Sequence, residues 1–126
     1  MAVEQCSTFV FFDTETTGLP TTHSPRITEL SFCAVERSQF LNASPSSPPR
    51  VTNRLNICID PIREIEPAAS KISGLSNESL ELQSRFNEET ALLLTGFLKR
   101  LKGPVCLVAH GGESFDFPLL KWGMVS

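Results

Sequence analysis

Hydrophobic and polar positions along the chain change period several times, and each change predicts an element. The stretch from Thr8 to Pro20 begins with the apolar run Phe9, Val10, Phe11 and Phe12, aromatic and β-branched and without Gly or Pro until Gly18, which predicts a strand buried on both faces. Gly18 and Pro20 break it and open a polar turn that contains His23. From Ile27 to Glu36, Ile27, Glu29 and Ser31 alternate with Leu30, Phe32 and Ala34, which predicts a second strand. The short connection favours an antiparallel hairpin with the first. Residues 38–50, with their Pro and Ser cluster, predict a flexible surface loop, and Val51 to Ile59 alternates again as a third strand.

The period then lengthens. Pro67 to Leu75 reads as a short helix opened by Pro67 and stopped by Gly74. From Asn87 to Lys102, Leu94, Phe97, Leu98 and Leu101 recur at helical spacing, and this stripe is expected to pack on a sheet. Asn87 suits the N-cap, and Gly103-Pro104 stops the helix. Val105 to Ala109 is a short apolar strand, most simply parallel to its neighbour because a helix precedes it. Ser114 to Lys121 begins a last helix. The order predicts an α/β fold, a mixed sheet with helices packed on it.

Composition narrows the picture modestly. The 126 residues make one domain, 1–126, and the apolar share of 40% with 20% charged residues is that of an ordinary globular chain. A net charge of −3 argues against holding nucleic acid on a broad basic surface, though not against an enzyme that binds a strand end through metals. The four cysteines have no C-x-x-C spacing, so zinc is not expected, and buried reduced thiols in an intracellular protein are. No basic and apolar leader and no membrane-spanning run stands out.

The chemistry lies where the first strand ends. Asp13 and Glu15 are two residues apart on an extended chain and so project to one side. Two close carboxylates repel unless a cation lies between them, and hard oxygen ligands on a rigid strand suit Mg²⁺ or Mn²⁺. A solvated strand terminus is the plainer reading of such a pair, but acids following an apolar run weigh against it.

Three segments together resemble a known family. Phe11 to Pro20, Ile72-Ser73-Gly74-Leu75, and Leu107 to Leu120 with its His110 and Asp116 are similar to successive motifs of the DEDDh (DnaQ-like) exonucleases, closest to the three-prime repair (TREX-type) group. The resemblance implies a ribonuclease H-like fold: an antiparallel three-strand meander, a parallel strand and flanking helices. It implies removal of nucleotides from DNA 3′ ends with two Mg²⁺ ions, Mn²⁺ being an alternative. Asp13, Glu15 and Asp116 would be the catalytic metal ligands. The terminal nucleotide would meet Glu15, Thr16, Gly18, Leu19, Pro20, Ile72, His110 and Phe115, with Leu19 and Ile72 wedged against its base. The plainer alternatives are core positions for Leu19 and Ile72, and for Asp116 a helix N-terminal acid, a role compatible with being a ligand; His110 reads first as a residue that orders its loop.

Gly111 stands where relatives often carry Asn, and the family's third motif, with its general-base His and last Asp, is absent from the sequence. The expectation is therefore a C-terminally incomplete domain, weak or inactive as an exonuclease, in nucleus or cytoplasm. The resemblance also implies a homodimer. A non-catalytic DNA-end binder, or a modulator paired with a full-length relative, is the alternative.

Overall fold

Every second residue of the first strand is buried, and this alternation organises the rest. The computed structural model describes residues 5–18 and 24–109. Its elements are β1 (Thr8–Thr16), β2 (Ile27–Glu36), α1 (Arg37–Leu41), β3 (Asn53–Cys58), α2 (Pro67–Ser73), α3 (Asn77–Leu80), α4 (Glu88–Lys99) and β4 (Val105–Val108). The sheet runs in the order β3-β2-β1-β4; β1 is antiparallel to β2 and parallel to β4, and β2 is antiparallel to β3. This is the mixed α/β arrangement expected from the sequence, a meander joined by a parallel strand.

Val10 and Phe12 of β1 join Leu30, Phe32 and Ala34 of β2 and Leu94 of α4 in the main core, with Phe97, Leu98 and Leu101 against it. The helical stripe thus packs on the sheet as its spacing predicts. Phe32 meets Phe12 edge-on at 5.6 Å and Phe97 at 5.7 Å between ring centroids. Burying side chains of this size contributes roughly 1.5–3 kcal/mol each. The reading of β1 as buried on both faces is corrected: on its other face Phe11 is half-buried and Asp13 exposed. There the only aromatic cover among the described residues is Phe40 of α1, 5.1 Å from Phe9 and 5.7 Å from Phe11.

Helix boundaries follow local chemistry. The Asn87 side chain accepts from the Thr90 N–H at 2.9 Å, and the Thr90 hydroxyl answers the Asn87 N–H, which opens α4. The helix ends at Lys99, short of Lys102, with Arg100 as C-cap. Pro67 opens α2, and Gly74 closes it at φ 76°, a left-handed conformation that favours glycine. The sequence pattern does not announce α3, whose reciprocal cap uses Ser76 and Ser79 rather than the more recognisable Ser and Glu pair. The segment read as loop from Ser38 begins with the turn of α1, and Ser44 and Ser47 pair further along it.

The expectation of reduced thiols throughout is corrected for one pair. Cys6 and Cys106 form a disulfide with Cα atoms 6.0 Å apart, because parallel pairing brings β4 beside the start of β1. Cys33 and Cys58 are free.

Candidate active site

The two acids singled out in the sequence occupy the end of a central strand. Asp13 stands opposite Ser31 and Glu15 opposite Glu29, so Asp13, Glu15 and Glu29 share the face that α4 does not cover. Directly after Glu15 the register slips, a β-bulge of the kind that bends a strand and re-aims its side chains.

Backbone contacts fix the chain beyond Glu15. The Thr17 N–H donates to the Arg26 carbonyl at 2.9 Å, the Arg26 N–H to the Thr17 hydroxyl at 3.0 Å, and the Glu66 N–H to the Thr17 carbonyl at 2.8 Å. Thr17 is thereby held both by the lead into β2 and by the lead into α2. The Thr16 hydroxyl donates to the Gly18 carbonyl, and Thr16, Thr17 and Gly18 are all buried. The acids therefore stand on a strand whose exit is pinned, which limits how far their carboxylates can spread.

Electrostatics at this end are acidic. Glu15 and Glu29, directly opposed, are like charges in a position where they repel. The Cys58 thiol donates weakly to Glu29 Oε2 at 3.9 Å; burial pushes its pKa up, and the Glu29 charge and this hydrogen bond push it further. Neither residue stands out as a site neighbour in the sequence. Their signal is the alternation that sets Glu29 in step with Ser31, but the pairing of Glu29 with Cys58 depends on strand register.

Ile72, expected either as base wedge or as core, is 70% exposed on α2, so the core reading is corrected: α2 turns Ala69 inward instead. Leu19, Pro20, His110, Phe115 and Asp116 lie outside the described residues. Parallel pairing ends with Phe11 opposite Val108, so β4 runs toward the Asp13 end of β1. Among the described residues no three His, Cys, Asp or Glu side chains are grouped closely enough to hold a metal ion. Asp13 and Glu15 thus offer a hard, two-carboxylate donor set that fits Mg²⁺ or Mn²⁺ only as part of a larger shell.

The family described as Exonuclease (RNase_T) matches residues 10–126. The chain is 45% identical over 123 residues to mouse Three prime repair exonuclease 2, covering 92% of this chain and 52% of that protein. It is 44% identical over 124 residues to human Three-prime repair exonuclease 1, covering 90% of this chain and 39% of that protein. The chain thus spans about half or less of these relatives' length. Among solved structures, exonuclease I in complex with an inhibitor superimposes with a TM-score of 0.72 at 17% identity, over 96% of this chain and 24% of that one. E. coli exonuclease I in complex with a dT13 oligonucleotide gives 0.68 at 15% identity, over 94% and 24%. At such identities the likeness speaks for the ribonuclease H-like fold alone. With a matched profile over nearly the whole chain and an acid pair on the central strand, the chain belongs to the RNase_T exonuclease family.

Proposed function

We propose that this chain carries the chemistry of a 3′→5′ exodeoxyribonuclease, hydrolysing the last phosphodiester at a DNA 3′ end. The observation that carries the reading is the placement of Asp13 and Glu15 on one open face at the pinned end of β1. They would hold divalent cations, with Asp116 as a third ligand. Such ions supply a water acidified enough to attack phosphorus and charge to offset that on the phosphate oxygens. The chain's own residues do the rest. Gly18 would let the backbone approach the terminal nucleotide, and exposed Ile72 would press against its base without reading its identity. Leu19, Pro20, His110 and Phe115 would complete the binding surface by family likeness. Such chemistry suits an intracellular compartment, nucleus or cytoplasm, where DNA 3′ ends arise. No helix among the described residues is long and apolar enough to cross a membrane.

The test is trimming of a 5′-labelled single-stranded oligonucleotide by the purified chain with Mg²⁺, with EDTA, and with Asp13→Asn. Slow stepwise shortening that EDTA abolishes and Asp13→Asn slows further, by up to about 10³-fold, is expected, since a metal ligand governs several kcal/mol of the barrier. Trimming that persists in Asp13→Asn, or none by the unmodified chain, would overturn the reading. A second reading, a non-catalytic partner of a full-length relative, is favoured by one observation: among the described residues β3 is an edge of the sheet, where another copy could pair. Dimers by analytical ultracentrifugation without any trimming would support it.

A further inference from the structure

We propose that the strand whose 3′ end enters the Asp13 site continues along a second surface, over Phe40 and into a cationic cleft at the opposite end of β1, where its phosphates are held. The proposal rests on the exonuclease reading and names where the upstream nucleotides go.

The cleft, of about 720 Å³, lies where β1 begins and α4 ends. Arg37, Arg100 and Lys102 line it, with Glu36 as the one carboxylate among the described lining residues, and Ser7 and Ser38 line it as well. In a chain of net charge −3 this gathering of cations is a departure from the average surface. Arg100 and Lys102 alone would be explained by the carbonyl end of α4, which favours cations. Arg37 comes from a different element, α1, and brings a third cation to the same cleft. The cleft wall is also fixed in place. Arg37 donates from its backbone to the Ser7 carbonyl at 2.9 Å and from Nη1 to the Cys6 carbonyl at 3.2 Å, and the Thr8 hydroxyl donates to the Lys102 carbonyl at 2.8 Å.

Phe40 links this cleft to the acids. It leans on Phe9 and Phe11, which share the face of Asp13 and Glu15, and yet stays 42% exposed. An exposed ring beside a basic groove is the combination that binds single strands without regard to sequence: the ring stacks a base and the cations hold the backbone. The spacing suits such a path. Thr8, at the cleft, is five residues before Asp13 along β1, roughly 17 Å, or about five stacked nucleotides. Substrate length therefore separates the two surfaces: short oligonucleotides occupy the acid end alone, longer ones both.

The test uses the full chain carrying Asp13→Asn to suppress trimming, with 5′-fluorescein oligothymidylates of about four and about sixteen nucleotides, followed by anisotropy at several salt concentrations. Added Arg100→Glu and Lys102→Glu are expected to weaken the longer ligand roughly tenfold and reduce its salt slope by about 1.4, leaving the shorter one unchanged. Phe40→Ala is expected to weaken the longer ligand about five- to tenfold and Phe40→Trp to retain it. Arg100→Gln with Lys102→Gln, which adds no negative charge, gives the same ordering if the cations act directly. Equal binding of the longer ligand before and after charge reversal overturns the path, while trimming by the unmodified chain decides the exonuclease reading separately. Inorganic phosphate at millimolar concentration that removes the cleft's contribution at constant ionic strength overturns it in favour of a small-anion site.

Discussion

The two faces of β1 are built from the same nine residues and do opposite things. On one, Val10 and Phe12 meet α4 and Phe32 in a closed core, so each side chain there is fixed by its neighbours. On the other, a short helix supplies Phe40, and beyond it Asp13 is exposed and Glu15 half-buried. The closed face is packed by α4 and β2, and Asp13 and Glu15 project from the opposite side. Core packing and the candidate site are thus separated across one backbone.

The separation can be broken first by cavities. Phe32→Ala, on the closed face, is expected to cost about 3–5 kcal/mol in urea unfolding, and Phe11→Ala, on the half-buried face, less than about half of that. Equal losses would mean that the open face is as tightly built as the core. A covalent tie comes next. Cys6 is 1% exposed and bonded to Cys106, which is in register with Phe9. Under non-reducing conditions Cys6→Ser is expected to lower stability by roughly 2–4 kcal/mol, with a reductant then affecting the unmodified chain but not the variant. The smallest effect sharpens the electrostatics of the open face. With the Cys58 pKa raised by burial and by Glu29, its thiolate is scarcer than in a peptide, so alkylation at pH 8 is expected to be slower. Glu29→Gln is expected to speed it by less than about tenfold, and an unchanged rate would remove Glu29 as a cause. Since the folded thiol holds its proton more tightly than the unfolded one, its contribution to stability is full at neutral pH and fades as pH rises through the raised value.

Much of the fold was legible because the local signals agree with it. The Ile27–Glu36 alternation matches the observed limits of β2, Pro67 and Gly74 bracket α2, and Asn87 caps α4. The acid pair was legible for the same reason: a period of two puts Asp13 and Glu15 on one side wherever the strand lies. What escaped depended on partners remote in sequence. No local pattern says that Phe9 and Phe11 are covered by a single small helix rather than by a layer, nor that Cys106 lies beside Cys6. The cation cleft escaped likewise, because Arg37 and Arg100 belong to elements that only tertiary folding brings together.

The position of β1 in the sheet also sets an order of assembly. Its antiparallel neighbour starts at Ile27, soon after β1 ends at Thr16, so the hairpin can close long before β4 is made. Its parallel neighbour, β4, is nearly a hundred residues later, and the Thr8–Val105 pairing waits for everything between them. During synthesis the strand that carries the acids is thus made well before β4, and one of its flanks stays bare until β4 has left the ribosome. The acid-bearing end of β1 therefore gains its second flank only when β4 docks beside it.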